Sequence, residues 1–141
     1  MQMRWLGILS AIVLIIACFF PWVTIESKNI VVSGVNATGT SFGKPGYMHL
    51  LLSVLAIILL LIPKTLPIRI AIFLTAFNAA WAIRNYIVIS LCHGGECPLK
   101  HTALYIVVLS SFALLIFNLF TGTKENSDTN KSPELKPGSI S

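Results

Sequence analysis

The densest group of reactive side chains in this sequence lies between residues 92 and 101. There Cys92, His93, Cys97 and His101 offer two thiols and two imidazoles. In an oxidising setting, two cysteines bracketing Gly94-Gly95 most simply form a disulfide, and its role would be to fix a short turn. A redox-active pair fits less well, because four residues separate the thiols instead of the two of a Cys-X-X-Cys motif. The same four side chains could hold zinc or copper. Their spacing matches no known metal signature, however, and the adjacent Cys92 and His93 would have to fold back to share one ion.

Three further residues are candidates for a ligand or a partner: Arg84, Asn78 and Asn85. Away from the ends of the apolar stretches, Arg84 is essentially the one ionisable group, and charge there is costly and by default functional. Its plainer readings are an anchor, with the long stem carrying the guanidinium to lipid headgroups, or an ion pair with Glu26 or Glu96. Thr75, Asn78, Ala82 and Asn85 recur at helical spacing and share one face, which suits close packing and hydrogen bonding between membrane helices. A solute path would call for carboxylates within the apolar stretches, broken helices or repeated halves, and none of these is seen. His49 and His101 both fall near the ends of apolar stretches. A haem held between them is conceivable, but polar caps at an interface are the simpler reading. No catalytic residue is identified and no cofactor is expected.

The elements that must position these residues are apolar. Of 141 residues, 55 % are hydrophobic and 11 % charged, with a mean hydropathy of +0.83. Soluble domains carry about 25 % charged residues, and a chain this short has little interior in which to hide so much apolar surface. Lipid resolves the conflict. The net charge of +5 comes from scattered residues without a basic stripe, which argues against nucleic acid as a partner.

Four apolar stretches, at about 5–20, 48–62, 68–91 and 102–120, predict four transmembrane helices. Pro21 and Pro63 end the first two, while Pro67 and Pro98 suit the first turns of the third and fourth. If the amino terminus is cytoplasmic, Arg4, Lys64, Arg69, Lys124, Lys131 and Lys136 lie inside. Lys28, Lys44 and Lys100 then lie outside, with Arg84 at the border. The excess of inner positive charge favours cytoplasmic amino and carboxyl termini. Trp22, Tyr47, Tyr86 and Tyr105 fall at one depth and suggest an aromatic belt at the outer boundary. An alternative in which the first stretch is a cleaved lipoprotein signal ending at Cys18 is disfavoured. The apolar run continues through Phe19-Phe20-Pro21-Trp22, and Cys18 reads better as a small packed residue.

The outer loops are expected at 21–47 and 92–101. In the first, Trp22-Val23-Thr24-Ile25-Glu26 alternates and Ile30-Val31-Val32 is β-branched, with Ser27-Lys28-Asn29 turning between them. A third strand at 38–42 would complete a small antiparallel sheet formed by this loop alone. Asn36-Ala37-Thr38 fits a glycosylation sequon, a triplet common by chance. Residues 121–141, rich in Ser, Thr, Asn, Pro and Lys, are expected to form a disordered cytoplasmic tail.

The run Cys18-Phe19-Phe20-Pro21-Trp22-Val23, followed by a β-rich loop with Gly34 and Gly39 and three more apolar stretches, resembles small uncharacterised four-span membrane proteins of bacteria. That likeness implies a place in the bacterial cytoplasmic membrane and no particular activity. The layout also resembles that of claudins, a four-helix bundle capped by an outer sheet. The claudin Gly-Leu-Trp motif and first-loop cysteine pair are missing here.

The fold expected is therefore an all-α transmembrane four-helix bundle with a small outer β-sheet. The function expected is that of a non-enzymatic accessory subunit or interaction module, partnered by the bilayer and by another membrane or extracytoplasmic protein. The rival readings are a redox, metal or haem component using Cys92 and Cys97, and a small transporter or ligand carrier.

Overall fold

The structure is a computed structural model that describes residues 2–92 and 94–131. In chain order it comprises α1 (Gln2–Ala17), β1 (Pro21–Ile25), a single 3₁₀ turn (Glu26–Lys28), β2 (Ile30–Ser33), α2 (Gly46–Leu61), α3 (Thr65–Ser90), β3 (Leu99–Lys100) and α4 (Thr102–Lys131). The helices form a closed circuit of contacts: α1 packs on α4 and α2, and α3 packs on α4 and α2. α3 and α4 are long and apolar enough to cross a membrane, whereas α1 and α2 have 16 residues each.

Proline punctuates the helices much as local chemistry demands. Pro63 follows α2, where its missing N–H would break the ladder, and Pro67 sits in the first turn of α3, where that N–H has no partner anyway. Pro98 behaves differently. It stands in the connection before β3 and does not open α4. α4 also runs on to Lys131, past the point where a tail was expected to begin. Residues 132–141 of that expected tail lie outside the described residues.

The sheet corrects the expectation about its third strand. Its order is β2-β1-β3, all antiparallel, with β3 drawn from the connection between α3 and α4. Residues 38–42 form turns and bends instead. Gly39, at φ +85°, places left-handed backbone inside that segment, and Gly43, at +71°, does so directly after it, which an extended strand does not accommodate. The sheet caps the end of the assembly where α1 and α3 finish and α2 and α4 begin.

Trp22 is the anchor of this cap. A bulge between Pro21 and Val23 breaks the expected alternation, so Trp22 and Val23 both turn inward and are fully buried. The Trp22 indole donates to the Ala17 carbonyl at 3.0 Å. Trp22 is thus a core residue and not a member of an aromatic belt. The backbones of Gly34 and Gly46 meet directly beside it, with Gly46 N–H donating to Gly34 O at 2.7 Å. A Cβ on Gly46 would stand 2.5 Å from the Gly34 carbonyl carbon, so no other residue fits.

The core is largely apolar but also buries several polar side chains, while large apolar side chains lie on the outside. His49, Ser53, Thr75, Asn78, Asn85, Ser111 and Asn118 are buried, while Phe73 is 73 % exposed and Leu109 69 %. At the end opposite the cap, Arg4 pairs with Glu125 at 2.7 Å, the one ion pair among the described residues. Arg69 reaches Asn126 nearby at 3.3 Å.

Candidate functional site

His49 lies in the first turn of α2 and is fully buried. Opposite it, α3 presents Asn78 and Asn85, two helical turns apart on one face. The imidazole bridges them: Nδ1 lies 2.5 Å from Asn78 Oδ1, and Nε2 lies 3.4 Å from Asn85 Nδ2. The carbonyl oxygen of Asn78 can only accept, so Nδ1 donates and Nε2 is left to accept from Asn85. A single neutral tautomer satisfies both contacts. The Trp22 ring packs edge-on against the imidazole at 6.1 Å between centroids, which connects the cap to this polar centre.

The polar thread continues away from the cap. Asn118 on α4 donates to Thr75 on α3 at 3.3 Å. Ser53, one turn beyond His49 on α2, joins Asn78 Nδ2 and Asn118 Oδ1 as buried groups without a hydrogen-bond partner among the described residues. Asn78 and Asn85 are therefore brought together as their spacing predicts. The residue that joins them, His49, was legible only as a polar group near a helix end. Its signal was the spacing to Ser53, four residues on, which puts two polar groups on one face of an otherwise apolar helix.

Arg84 stands apart from this centre. Neither Glu26 nor Glu96 forms an ion pair with it, and Glu96 is instead hydrogen-bonded by the Ser27 hydroxyl. The guanidinium of Arg84 lies over the Trp81 ring at 4.8 Å, and the Trp81 indole donates to the Pro45 carbonyl at 3.2 Å. Beside Arg84 opens a cavity of about 270 Å³, walled by Ser41, Phe42 and Pro45 on one side and by Arg84, Asn85, Val88 and Ile89 on the other.

Cys92 and Cys97 are joined by a disulfide around the Gly94-Gly95 turn. Their sulfurs bond each other, so neither is a thiolate ligand in this state. His101 Nε2 lies 2.7 Å from Thr24 Oγ1, and its backbone N–H donates to Trp22 O, so this histidine stitches α4 to β1. His93 lies outside the described residues. Among the described residues no three of His, Cys, Asp and Glu gather in a way that could hold a metal ion. Cys18 is buried as a free thiol at the end of α1.

On the sheet, Val31, Thr24 and Leu99 stand directly opposite one another across the three strands and so share one face. Val23 and Val32 take the other face and are fully buried against the helices. The outward row is apolar at both ends, with Val31 54 % exposed and Leu99 51 %. Comparison with known protein families, with curated proteins and with solved structures finds no match to this chain.

Proposed function

We propose that this chain is a four-span integral membrane protein with both termini cytoplasmic, acting without catalysis as an accessory subunit or interaction module. Its outer surface is the three-stranded cap, and its partner is another membrane or extracytoplasmic protein that offers a complementary apolar patch. The apolar outer surface, around a core that also buries amides and hydroxyls, supports the membrane reading. Buried amides and hydroxyls with Phe and Leu outside are what lipid as a solvent selects. α1 and α2, at 16 residues, rise about 24 Å at 1.5 Å per residue, so they suit a thin or locally thinned bilayer.

One observation carries the interaction reading: the Val31–Thr24–Leu99 row faces away from the helices on a sheet held in place from several sides. The Cys92–Cys97 disulfide, the His101–Thr24 contact, the Ser27–Glu96 hydrogen bond and the buried Trp22 all fix that row. A cap held this firmly, with apolar side chains turned outward, is preorganised for binding.

Photo-crosslinking side chains at Val31 and Leu99 test it in native membranes. Both positions should give the same discrete protein adduct, and a probe at Asn126 at the opposite end should not. Val31→Asp with Leu99→Asp should abolish that adduct while the fold survives. Labelling of lipid and solvent alone at both cap positions would sink the proposal.

A further inference from the structure

The cavity beside Arg84 is more than a gap between loop and helix. We propose that it binds the phosphate oxyanion of an anionic phosphate ester, held by the Arg84 guanidinium and the Asn85 side-chain amide. The guanidinium carbon of Arg84 lies over the Trp81 ring, 4.8 Å from its centroid, and a guanidinium held there can offer its N–H fork to two oxygens of one phosphate. No carboxylate among the described residues neutralises it. Asn85 is 97 % buried, yet it lines the cavity, and its single side-chain hydrogen bond among the described residues is the 3.4 Å contact to His49. That contact uses one of the two N–H groups of Asn85 Nδ2, so the amide retains a donor for a ligand.

The rest of the cavity is suited to the ester. Ser41 adds a hydroxyl, while Phe42, Pro45 and Val88 give apolar walls for a glycerol-sized moiety. The volume of about 270 Å³ is just under the ~300 Å³ at which ligand pockets begin, so it fits a headgroup and not a large molecule. The site is also preorganised, because the Trp81 hydrogen bond to Pro45 ties the platform under Arg84 to the facing loop. Two sources can supply this chemistry: the headgroup of an anionic lipid, or a soluble phosphate ester. The lipid source rests on the membrane reading, but the phosphate chemistry does not.

Native mass spectrometry of the full chain in a mild detergent separates these cases. The protein is titrated with dioleoyl phosphatidylglycerol, dioleoyl phosphatidylcholine and glycerol 1-phosphate. A saturable one-to-one adduct is expected with phosphatidylglycerol at concentrations where zwitterionic phosphatidylcholine gives none. Arg84→Gln should weaken it at least about tenfold, since the loss of even one charge-assisted hydrogen bond is worth that much. Val88→Trp, which fills the cavity and leaves Arg84 in place, should weaken it at least as much. A matching adduct with glycerol 1-phosphate assigns the soluble source, and its absence assigns the lipid. The proposal is overturned by the lack of a saturable adduct with either ester, or by an adduct that both variants leave unchanged.

Discussion

His49 shows how much one buried side chain can constrain. Its ring holds Asn78 and Asn85 together and leans on Trp22, so α2, α3 and β1 meet at a single residue. Replacing Asn78 by Leu strands the His49 Nδ1–H without an acceptor. The expected cost is about 1–3 kcal/mol, read as a lower unfolding midpoint in detergent. Changing His49 to Leu as well removes the stranded donor, so the double variant should recover much of that loss. If the double variant is as unstable as the sum of its parts, the pair is not coupled. A second contrast concerns glycine. Gly46→Ala drives a methyl into the Gly34 backbone, which cannot yield, and should cost at least about 2 kcal/mol. Gly122→Ala meets the flexible end of Ile72 at 2.6 Å and should be far milder in the same assay. At this scale the sequence exposed the polar face of α3 by its spacing. It hid the role of His49 and the burial of Trp22, because both depend on partners brought in from distant segments.

Among the elements, the helices were the most legible, since proline and long apolar runs are local signals. Their boundaries moved by a few residues, and α4 lengthened because Lys124, Glu125 and Asp128 are compatible with helix once an ion pair to Arg4 holds the segment. The sheet was legible only in half. β1 and β2 are neighbours joined by a short turn, but β3 is two residues long and arrives from some 70 residues downstream, with no pattern that could announce it. The stapled turn leads directly into β3, and the His101 contacts to Thr24 and Trp22 hold its far end. Replacing Cys92 and Cys97 by Ser should therefore speed amide exchange at Leu99, Lys100 and His101 while leaving the β1–β2 pair and the helices protected. Exchange that rises equally throughout would mean that the disulfide supports the whole fold and not this strand.

For the molecule as a whole, the proposed topology makes a simple prediction about accessibility. Cys18 is buried and the other two cysteines are bonded to each other, so an introduced thiol is the accessible one. Lys28→Cys should react with an impermeant maleimide in intact cells, whereas Thr129→Cys should react only after permeabilisation. The opposite pattern would invert the orientation, and equal labelling of both would refute the four-span arrangement. Composition pointed towards lipid from the start, and α3 and α4 are long and apolar enough to cross a membrane. Function was not legible in the same way. The outward row on the sheet joins residues 24, 31 and 99, and the phosphate cavity joins residues 41–45 to 84–89.

The meeting of Gly34 and Gly46 also has an evolutionary consequence. Where the chain returns to within 2.7 Å of itself, the residues between form a closed detour that the framework does not need for continuity. That detour carries Ser41, Phe42 and Pro45, one whole wall of the cavity, while the other wall belongs to α3. A lineage could therefore exchange the detour for another of different length or chemistry and acquire a new binding preference. Any such replacement would have to keep the core contacts of Ala37 and Phe42 and the Pro45 carbonyl that Trp81 reaches.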